Sequence, residues 1–229
     1  MNQGLALANS RRLDEALAKL EEAGSVDPTN DLVFFNLALI QLGLQQPERA
    51  RIALERAIAA NPEVANYHDK LGQVCLALGT PDVDCARTAF GKAVEIEPAL
   101  FKSHYRLAGV MERLGDEQAA LTGFTEAAKR GPRFAPAYQE LGRLYSDLGM
   151  TAQAVQTLRA GIEAVLPGTD EQAGLYSMLG VVYQEQRNYD AAIEQFKQAL
   201  RIQPTRPETL FSLGWTYGIN DNREEAVRF

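Results

Sequence analysis

A pattern of about 34 residues returns along the whole chain and constrains its fold more than any other feature. The copy at residues 173–206 shows it best. Apolar and small residues are spaced there as on one face of an α-helix, twice in succession: Tyr176, Leu179, Gly180 and Tyr183, then Ala192, Phe196, Ala199 and Leu200. Pro204 ends the second helix because it lacks an N–H and clashes with the preceding turn. Two helices this short cannot bury their apolar faces alone, so each copy must stack on its neighbours.

The same spacing recurs in the other parts of the chain. We expect full repeats at residues 31–64, 65–100, 101–134, 135–172 and 173–206, between partial repeats at 1–30 and 207–229. Gly4 aligns with Gly180 in the opening partial copy, and Ala226 aligns with Ala192 in the closing one. The prediction is an all-α fold, an α-solenoid of antiparallel helix pairs that forms a single domain over residues 1–229.

Two copies are longer than the others. Residues 65–100 hold two extra residues, which we place in the loop at 79–84, where insertions cost little. Residues 135–172 hold about four extra residues before Ala173, and here we expect a longer second helix or a small bulge. Because both ends of the chain fall within a repeat, we also expect a part of a longer protein.

The recurring residues resemble the tetratricopeptide repeat. The resemblance is carried best by Leu179, Gly180, Tyr183, Ala192, Phe196, Ala199 and Pro204. The early aromatic position, Trp in the family pattern, is occupied by Phe34, His68, His104, Tyr138, Tyr176 and Leu210. The resemblance implies a right-handed superhelix in which first helices line a concave groove and second helices form the convex back. It also implies a protein-binding scaffold that holds no active site of its own.

Composition argues against several other classes of function. The net charge of −7 offers no basic footprint for nucleic acid, so no nucleic-acid partner is expected. No apolar run approaches the length of a membrane span, and no signal peptide is visible, so no direct membrane insertion is expected. We favour a cytoplasmic location, with a periplasmic or lipoprotein-anchored one as the alternative for a fragment, and a bacterial source.

Residues that could carry metal or redox chemistry are few. His68 and His104 occupy the same position in adjacent repeats, too far apart for one zinc ion, so we expect them to pack in place of an aromatic ring. Cys75 and Cys85 form no CxxC pair, and we expect two free thiols, with a disulfide as the alternative. We predict no catalytic residue, no metal and no cofactor.

Side chains beside the packing stripe of each first helix would face the groove. Lys70, Lys102, Arg106 and Arg143 are expected to cluster there and to attract carboxylates. With apolar anchors added, the candidate partner-binding residues are Phe35, Leu39, Asn66, Lys70, Gln73, Lys102, Tyr105, Arg106, Arg113 and Arg143. Phe211 and Trp215 form a second candidate interface, since Trp is frequent in interface hot spots.

The pattern at these positions favours one kind of partner. Lys102 and Arg106 match two basic residues of the carboxylate clamp that some family members use, whereas Phe35, Leu39 and Lys70 replace its other residues. We therefore expect an adaptor that binds a peptide or helix of acidic or mixed apolar–acidic character. Two alternatives stay open: the recruiting arm of a larger enzyme such as a glycosyltransferase, and a structural protein that self-associates through uncapped ends.

Overall fold

A computed structural model describes residues 12–220. Over this range the chain forms twelve α-helices and no strands, which confirms the all-α prediction. The helices are α1 (Leu13–Val26), α2 (Asp31–Gly43), α3 (Pro47–Ala60), α4 (Ala65–Ala77), α5 (Val83–Ile96), α6 (Phe101–Arg113), α7 (Glu117–Arg130), α8 (Ala135–Asp147), α9 (Thr151–Ala164), α10 (Asp170–Glu185), α11 (Tyr189–Ile202) and α12 (Pro207–Ile219). Gly4 and Ala226, aligned from the sequence, lie outside the described residues.

The chain divides into two compact units, residues 1–120 and 121–229, called unit 1 and unit 2 below. Within each unit, short loops join successive helices into pairs, as the repeat pattern predicts. That residues 1–229 act as a single domain stays a prediction.

Local sequence explains where most helices begin and end. First helices begin at the expected repeat starts 31, 65, 101, 135 and 207. Second helices other than α9 end two residues before a proline, as α3 does before Pro62 and α11 does before Pro204. The Asn30 and Asn188 side chains accept hydrogen bonds from Val33 N and Ala191 N, which satisfies one unpaired donor at each helix start.

The tail of the repeat at 135–172 differs from the prediction. The second helix α9 keeps the usual 14 residues, so the expected longer second helix is wrong. The next first helix lengthens instead, to 16 residues, and starts at Asp170 rather than Ala173. The Thr169 side chain caps this helix by accepting a hydrogen bond from Gln172 N. Asp170 and Glu171 lie in the first turn, where their negative charges interact favourably with the positive end of the helix dipole.

Glycines let first and second helices cross closely. A Cβ built on Gly180 would lie 2.5 Å from Cε1 of Phe196, and one on Gly72 would lie 2.6 Å from Cε1 of Phe90. Both phenylalanine side chains are fully buried. At one helix crossing in each unit, a buried ring therefore fills the space left by the absent glycine side chain.

The two cysteines are joined, so the expectation of free thiols is wrong. Their sulfur atoms lie 1.98 Å apart and their Cα atoms 6.0 Å apart. The loop after α4 folds back, with Asp82 N donating to Cys75 O at 2.9 Å, and this return brings Cys85 in α5 beside Cys75. Sequence spacing could not reveal the pairing because the loop path decides it.

The two histidines do more than fill space. Nε2 of His68 lies 2.8 Å from the carbonyl oxygen of Pro62, and Nε2 of His104 lies 3.0 Å from that of Pro98. Since a carbonyl oxygen only accepts, the Nε2 atoms carry the proton. Each ring therefore ties a first helix to the proline turn before it.

Candidate functional site

The exposed side of the first helices α2, α4 and α6 in unit 1 holds nine of the ten predicted partner-binding residues; we call it the unit-1 face. Phe35 and Leu39 lie on α2, Asn66, Lys70 and Gln73 lie on α4, and Lys102, Tyr105, Arg106 and Arg113 lie on α6. Within each helix these positions recur at helical spacing, so they share one side of it. Arg143 belongs to unit 2, where its guanidinium pairs with Glu140 at 3.0 Å and Asp147 at 2.8 Å.

An aromatic pair joins α2 to α4. The rings of Phe35 and Tyr67 lie 4.8 Å apart between centroids, tilted by 34°. Tyr67 is buried, and its hydroxyl donates to Oδ2 of Asp31 at 3.1 Å. Asn61 donates to the same oxygen at 3.0 Å. Burial, together with this hydrogen bond and the Asp31 charge, raises the pKa of Tyr67 to about 12.

A buried carboxylate joins α4 to α6. Asp69 is only 7% exposed. It accepts from Ser103 Oγ at 2.6 Å, from Gln73 Nε2 at 2.6 Å and from Arg106 Nη1 at 2.9 and 3.0 Å. Three donors thus compensate the charge that burial would otherwise penalise. Arg106 is consequently an ion-pair partner within the protein, a role that the sequence pattern did not reveal.

One structural position is filled by different chemistry in successive repeats. The fifth residue of one repeat contacts the third residue of the next, counting from the repeat starts predicted above. This position holds the Phe35–Tyr67 ring pair, then the Asp69–Ser103 hydrogen bond, both in unit 1. In unit 2 it holds Ser177 and Thr209, whose hydroxyl oxygens lie 2.7 Å apart. The repeat fixes the place of this contact, and each pair of side chains gives it a different character.

Apolar surface on the unit-1 face is concentrated on α2. Leu32 is 49% exposed and Leu39 is 39% exposed, with Phe35 half-buried between them. These residues lie three and four positions apart, so they form one strip along the helix.

Positive charge on this face comes mainly from α6. Lys102 and Arg113 are exposed, and within residues 12–220 neither forms an ion pair. Lys102 Nζ lies 5.9 Å from the centroid of the Phe101 ring, a weak cation–π arrangement. Lys70 is half-buried, and its Nζ lies 3.4 Å from Oε1 of Gln73. The open cations are therefore fewer than the sequence predicts, because Arg106 is neutralised by Asp69.

The second candidate interface lies on α12 in unit 2. Phe211 is 72% exposed, Trp215 54% and Ile219 42%, at successive helical turns. The predicted residues are thus at the surface, as an apolar strip.

Two cavities on the second-helix side were not foreseen. In unit 1 a cavity of about 570 Å³ lies between α3 and α5, with His68 and Leu71 at its base. In unit 2 a cavity of about 400 Å³ lies between α7 and α9, with Tyr138 and Leu141 at the corresponding positions. Burial raises the pKa of Tyr138. Both cavities are the notch between consecutive second helices, which only the stacking of pairs creates.

Across residues 12–220, no three His, Cys, Asp or Glu side chains come together in a way that could hold a metal ion. None of the twelve helices in that range has the length and apolar content that a membrane span needs.

Sequence comparison finds a repeat family and distant relatives. Two models described as "Tetratricopeptide repeat" match residues 7–74 and 133–205. "Protein CTR9 homolog" of Arabidopsis thaliana is 29% identical over 179 residues, covering 76% of this chain and 16% of the relative. "Cell division cycle protein 27 homolog A" of the same organism is 32% identical over 111 residues, covering 48% of this chain and 15% of the relative. The chain thus spans between 15% and 25% of the length of the curated relatives it matches.

Solved structures of similar fold include MamA, PilF and YrrB. MamA superposes with a TM-score of 0.67 at 20% identity, covering 72% of this chain and 95% of the other. Pseudomonas aeruginosa PilF gives 0.67 at 16% identity, with 91% and 92% covered. YrrB, described as a TPR protein with an unusual peptide-binding site, gives 0.65 at 22% identity, with 83% and 95% covered. At these identities the likeness shows the fold.

Proposed function

Because this chain belongs to the tetratricopeptide repeat family, whose members mediate protein–protein interactions, we propose that it binds a segment of a partner protein on the unit-1 face. The bound segment is a peptide or helix of mixed apolar and acidic character. Its apolar side chains lie against α2, and its carboxylates lie towards α6.

The exposed apolar strip of α2 is the observation that carries the proposal. Leu32 and Leu39 are 49% and 39% exposed, on either side of the half-buried Phe35 ring. Contiguous apolar surface rimmed by polar groups is typical of protein-interaction sites. Asn66 on the neighbouring helix supplies an exposed amide group suited to a peptide backbone.

Contacts between the helices hold this face ready for a partner. The Phe35–Tyr67 ring pair fixes α2 against α4, and the Asp69–Arg106 ion pair fixes α4 against α6. A face whose spacing is fixed before binding loses less conformational freedom on association. The similarity to YrrB, itself described as having a peptide-binding site, is in keeping with a peptide ligand.

Charge favours an acidic partner locally, even though the whole chain is acidic. The net charge of −7 repels an acidic segment from most of the surface. Lys102 and Arg113 lie on one side of α6 without an ion-pair partner among residues 12–220, so they attract carboxylates at that place. The acidic surface repels the segment at long range, and Lys102 and Arg113 attract its carboxylates at short range. Together these interactions favour binding at one place.

Selection of binding peptides tests this proposal. A library of random short peptides displayed on phage is selected on the full chain, and the affinity of recovered peptides is measured at low and high salt. We expect peptides that combine large apolar residues with Asp or Glu, whose binding weakens as salt rises.

A charge-reversal pair identifies the helix face. Lys102→Glu, on α6, is expected to weaken binding of the selected peptides by about tenfold, or about 1.4 kcal/mol. Arg87→Glu makes the same change on the exposed side of the second helix α5 and is expected to change affinity less than about twofold. Selected peptides without acidic residues, or equal affinity for the two variants, would refute the acidic part of the proposal.

A further inference from the structure

A cavity with a mixed polar and apolar lining opens on the first-helix side of unit 2, between α8, α10 and α12. Its volume is about 310 Å³, and its lining includes Gln139, Gly174, Arg206, Glu208 and Thr209. Val181, which is 38% exposed, forms an apolar edge. The cavity lies in the other unit from the unit-1 face, so it is independent of the function proposed above.

Two departures from the chain's own repeat pattern coincide at this cavity. The residue that precedes a first helix is uncharged before the other five, namely Asn30, Val64, Leu100, Phe134 and Thr169, but before α12 it is Arg206. The second residue of the repeat carries a side chain in the four preceding full repeats, namely Leu32, Asn66, Lys102 and Pro136, but here it is Gly174. One change brings a cation, and the other leaves space.

The space over Gly174 is bordered by two hydrogen-bond donors. A Cβ placed on Gly174 would lie 2.7 Å from Nε2 of Gln139 and 3.6 Å from Nη2 of Arg206. The Gln139 amide and the Arg206 guanidinium therefore converge on the same point.

The Arg206 guanidinium and the Gln139 amide can both donate further hydrogen bonds. Arg206 is half-buried, and its Nη1 donates to the neutral Oε1 of Gln203 at 3.0 Å. Among residues 12–220, no carboxylate pairs with Arg206, and the side chain of Gln139 forms no hydrogen bond. The half-buried guanidinium has lost part of its hydration without gaining an opposite charge. An anion that enters the cavity is therefore bound most favourably beside Arg206.

We propose that this cavity is a subsite for a single carboxylate, carried by an acidic side chain or by the chain terminus of a partner peptide. Arg206 pairs with both carboxylate oxygens through its planar fork, and the Gln139 amide donates a further hydrogen bond. The Glu208 carboxylate at the rim disfavours a second negative charge, so a carboxylate is preferred over a phosphate dianion.

Defined peptides test the subsite on the full chain. The probes are acetyl-Ala-Ala-Asp-Ala-Ala-amide, its Asn counterpart, and acetyl-tetra-alanine with a free carboxyl terminus. The readout is the NMR signals of the Arg206 Nε–H and Gln139 Nε2–H₂ groups. A saturable shift with the Asp peptide assigns the subsite to an acidic side chain, and one with the free terminus assigns it to a chain end.

Variants separate the subsite from general charge. Arg206→Leu, which places here the residue found at position 100, is expected to weaken binding more than tenfold. Arg201→Leu removes the same charge from the exposed side of α11 and is expected to change affinity less than twofold. Gly174→Ala, whose Cβ would clash only with the flexible end of the Gln139 side chain, is expected to keep the fold and to weaken binding by partly filling the cavity. Equal shifts with the Asp and Asn peptides, no binding of any carboxylate probe, or unchanged affinity in Arg206→Leu would each overturn the proposal.

Discussion

Arg106 on α6 reaches across to Asp69 on α4, and its Nη1 atom lies 2.9 and 3.0 Å from the two carboxylate oxygens. The side chains are 29% and 10% exposed, so the pair is largely shielded from solvent. It joins residues that stand 37 positions apart in sequence, in neighbouring repeats. The stacking of these repeats therefore depends on a polar contact as well as on apolar packing.

Removal of this pair is expected to destabilise unit 1. Asp69→Asn and Arg106→Met should each lower the free energy of unfolding by about 2 kcal/mol, because each leaves a buried or half-buried partner uncompensated. Since the residues interact directly, a double-mutant cycle measured by urea unfolding should give a coupling of about 1 kcal/mol or more. Strictly additive effects would show that the two side chains do not act as a pair.

The buried amide of Gln41 is expected to lower the stability of unit 1. Its Oε1 atom is buried and has no hydrogen-bond partner within residues 12–220. Gln41→Met keeps the length of the side chain and should raise stability by about 1 kcal/mol, since it removes an unsatisfied polar group. Gln73→Met is the matched control and should lower stability, because Gln73 donates to Asp69 at 2.6 Å. A loss of stability in both variants would show that the Gln41 amide is satisfied in solution.

Because the helices cross closely at Gly180, its substitution by alanine should destabilise the protein. The added Cβ would lie 2.5 Å from the buried Phe196 ring, so Gly180→Ala should lower stability by about 1–2 kcal/mol. Gly109→Ala, also within a helix, meets nothing within 4 Å and should raise stability by up to about 1 kcal/mol through helix propensity. Thermal or urea unfolding compares the two, and a stabilised Gly180→Ala would mean that the crossing is looser than described.

Stability should fall at high pH through Tyr67. Burial first, then the hydrogen bond to Asp31 and its charge, raise the pKa of Tyr67 from 10.0 to about 12. Below pH 10 both folded and unfolded chains keep this proton, so the contribution is fully present. As pH rises from 10 towards 12 the unfolded state ionises first, and stability on the order of 2 kcal/mol is lost.

Tyr67→Phe isolates that contribution. The variant lacks the hydroxyl that donates to Asp31, so it should be less stable than the wild type at pH 8. Its urea midpoint should fall less between pH 10 and 12, so that the two curves converge. Parallel curves over that range would show that Tyr67 titrates at its ordinary pKa.

The repeat spacing predicted most of the fold because stacked helix pairs require the same residues at the same places. It located five first helices at residues 31, 65, 101, 135 and 207, and it missed the start of α10 because Thr169 caps that helix locally. The paired cysteines also escaped prediction, since a loop path decides whether Cys75 meets Cys85.

The candidate site was predictable only in part. Helical spacing placed Leu39 and Lys102 on exposed first-helix positions, where they lie. It did not show that Asp69 compensates Arg106, because the offset between neighbouring helices selects which side chains meet. The convergence of Gln139 and Arg206 over Gly174 required that same offset in unit 2.

The central claim is that the unit-1 face, rather than the second-helix side, contacts the partner. The most direct measurement compares Leu39→Asp on α2 with Ile52→Asp on α3, two exposed apolar residues that are 39% and 60% exposed. With a peptide selected on the wild-type chain, isothermal titration should show an affinity reduced by about tenfold or more in Leu39→Asp and changed less than about twofold in Ile52→Asp. Equal losses in the two variants, or a loss confined to Ile52→Asp, would contradict it.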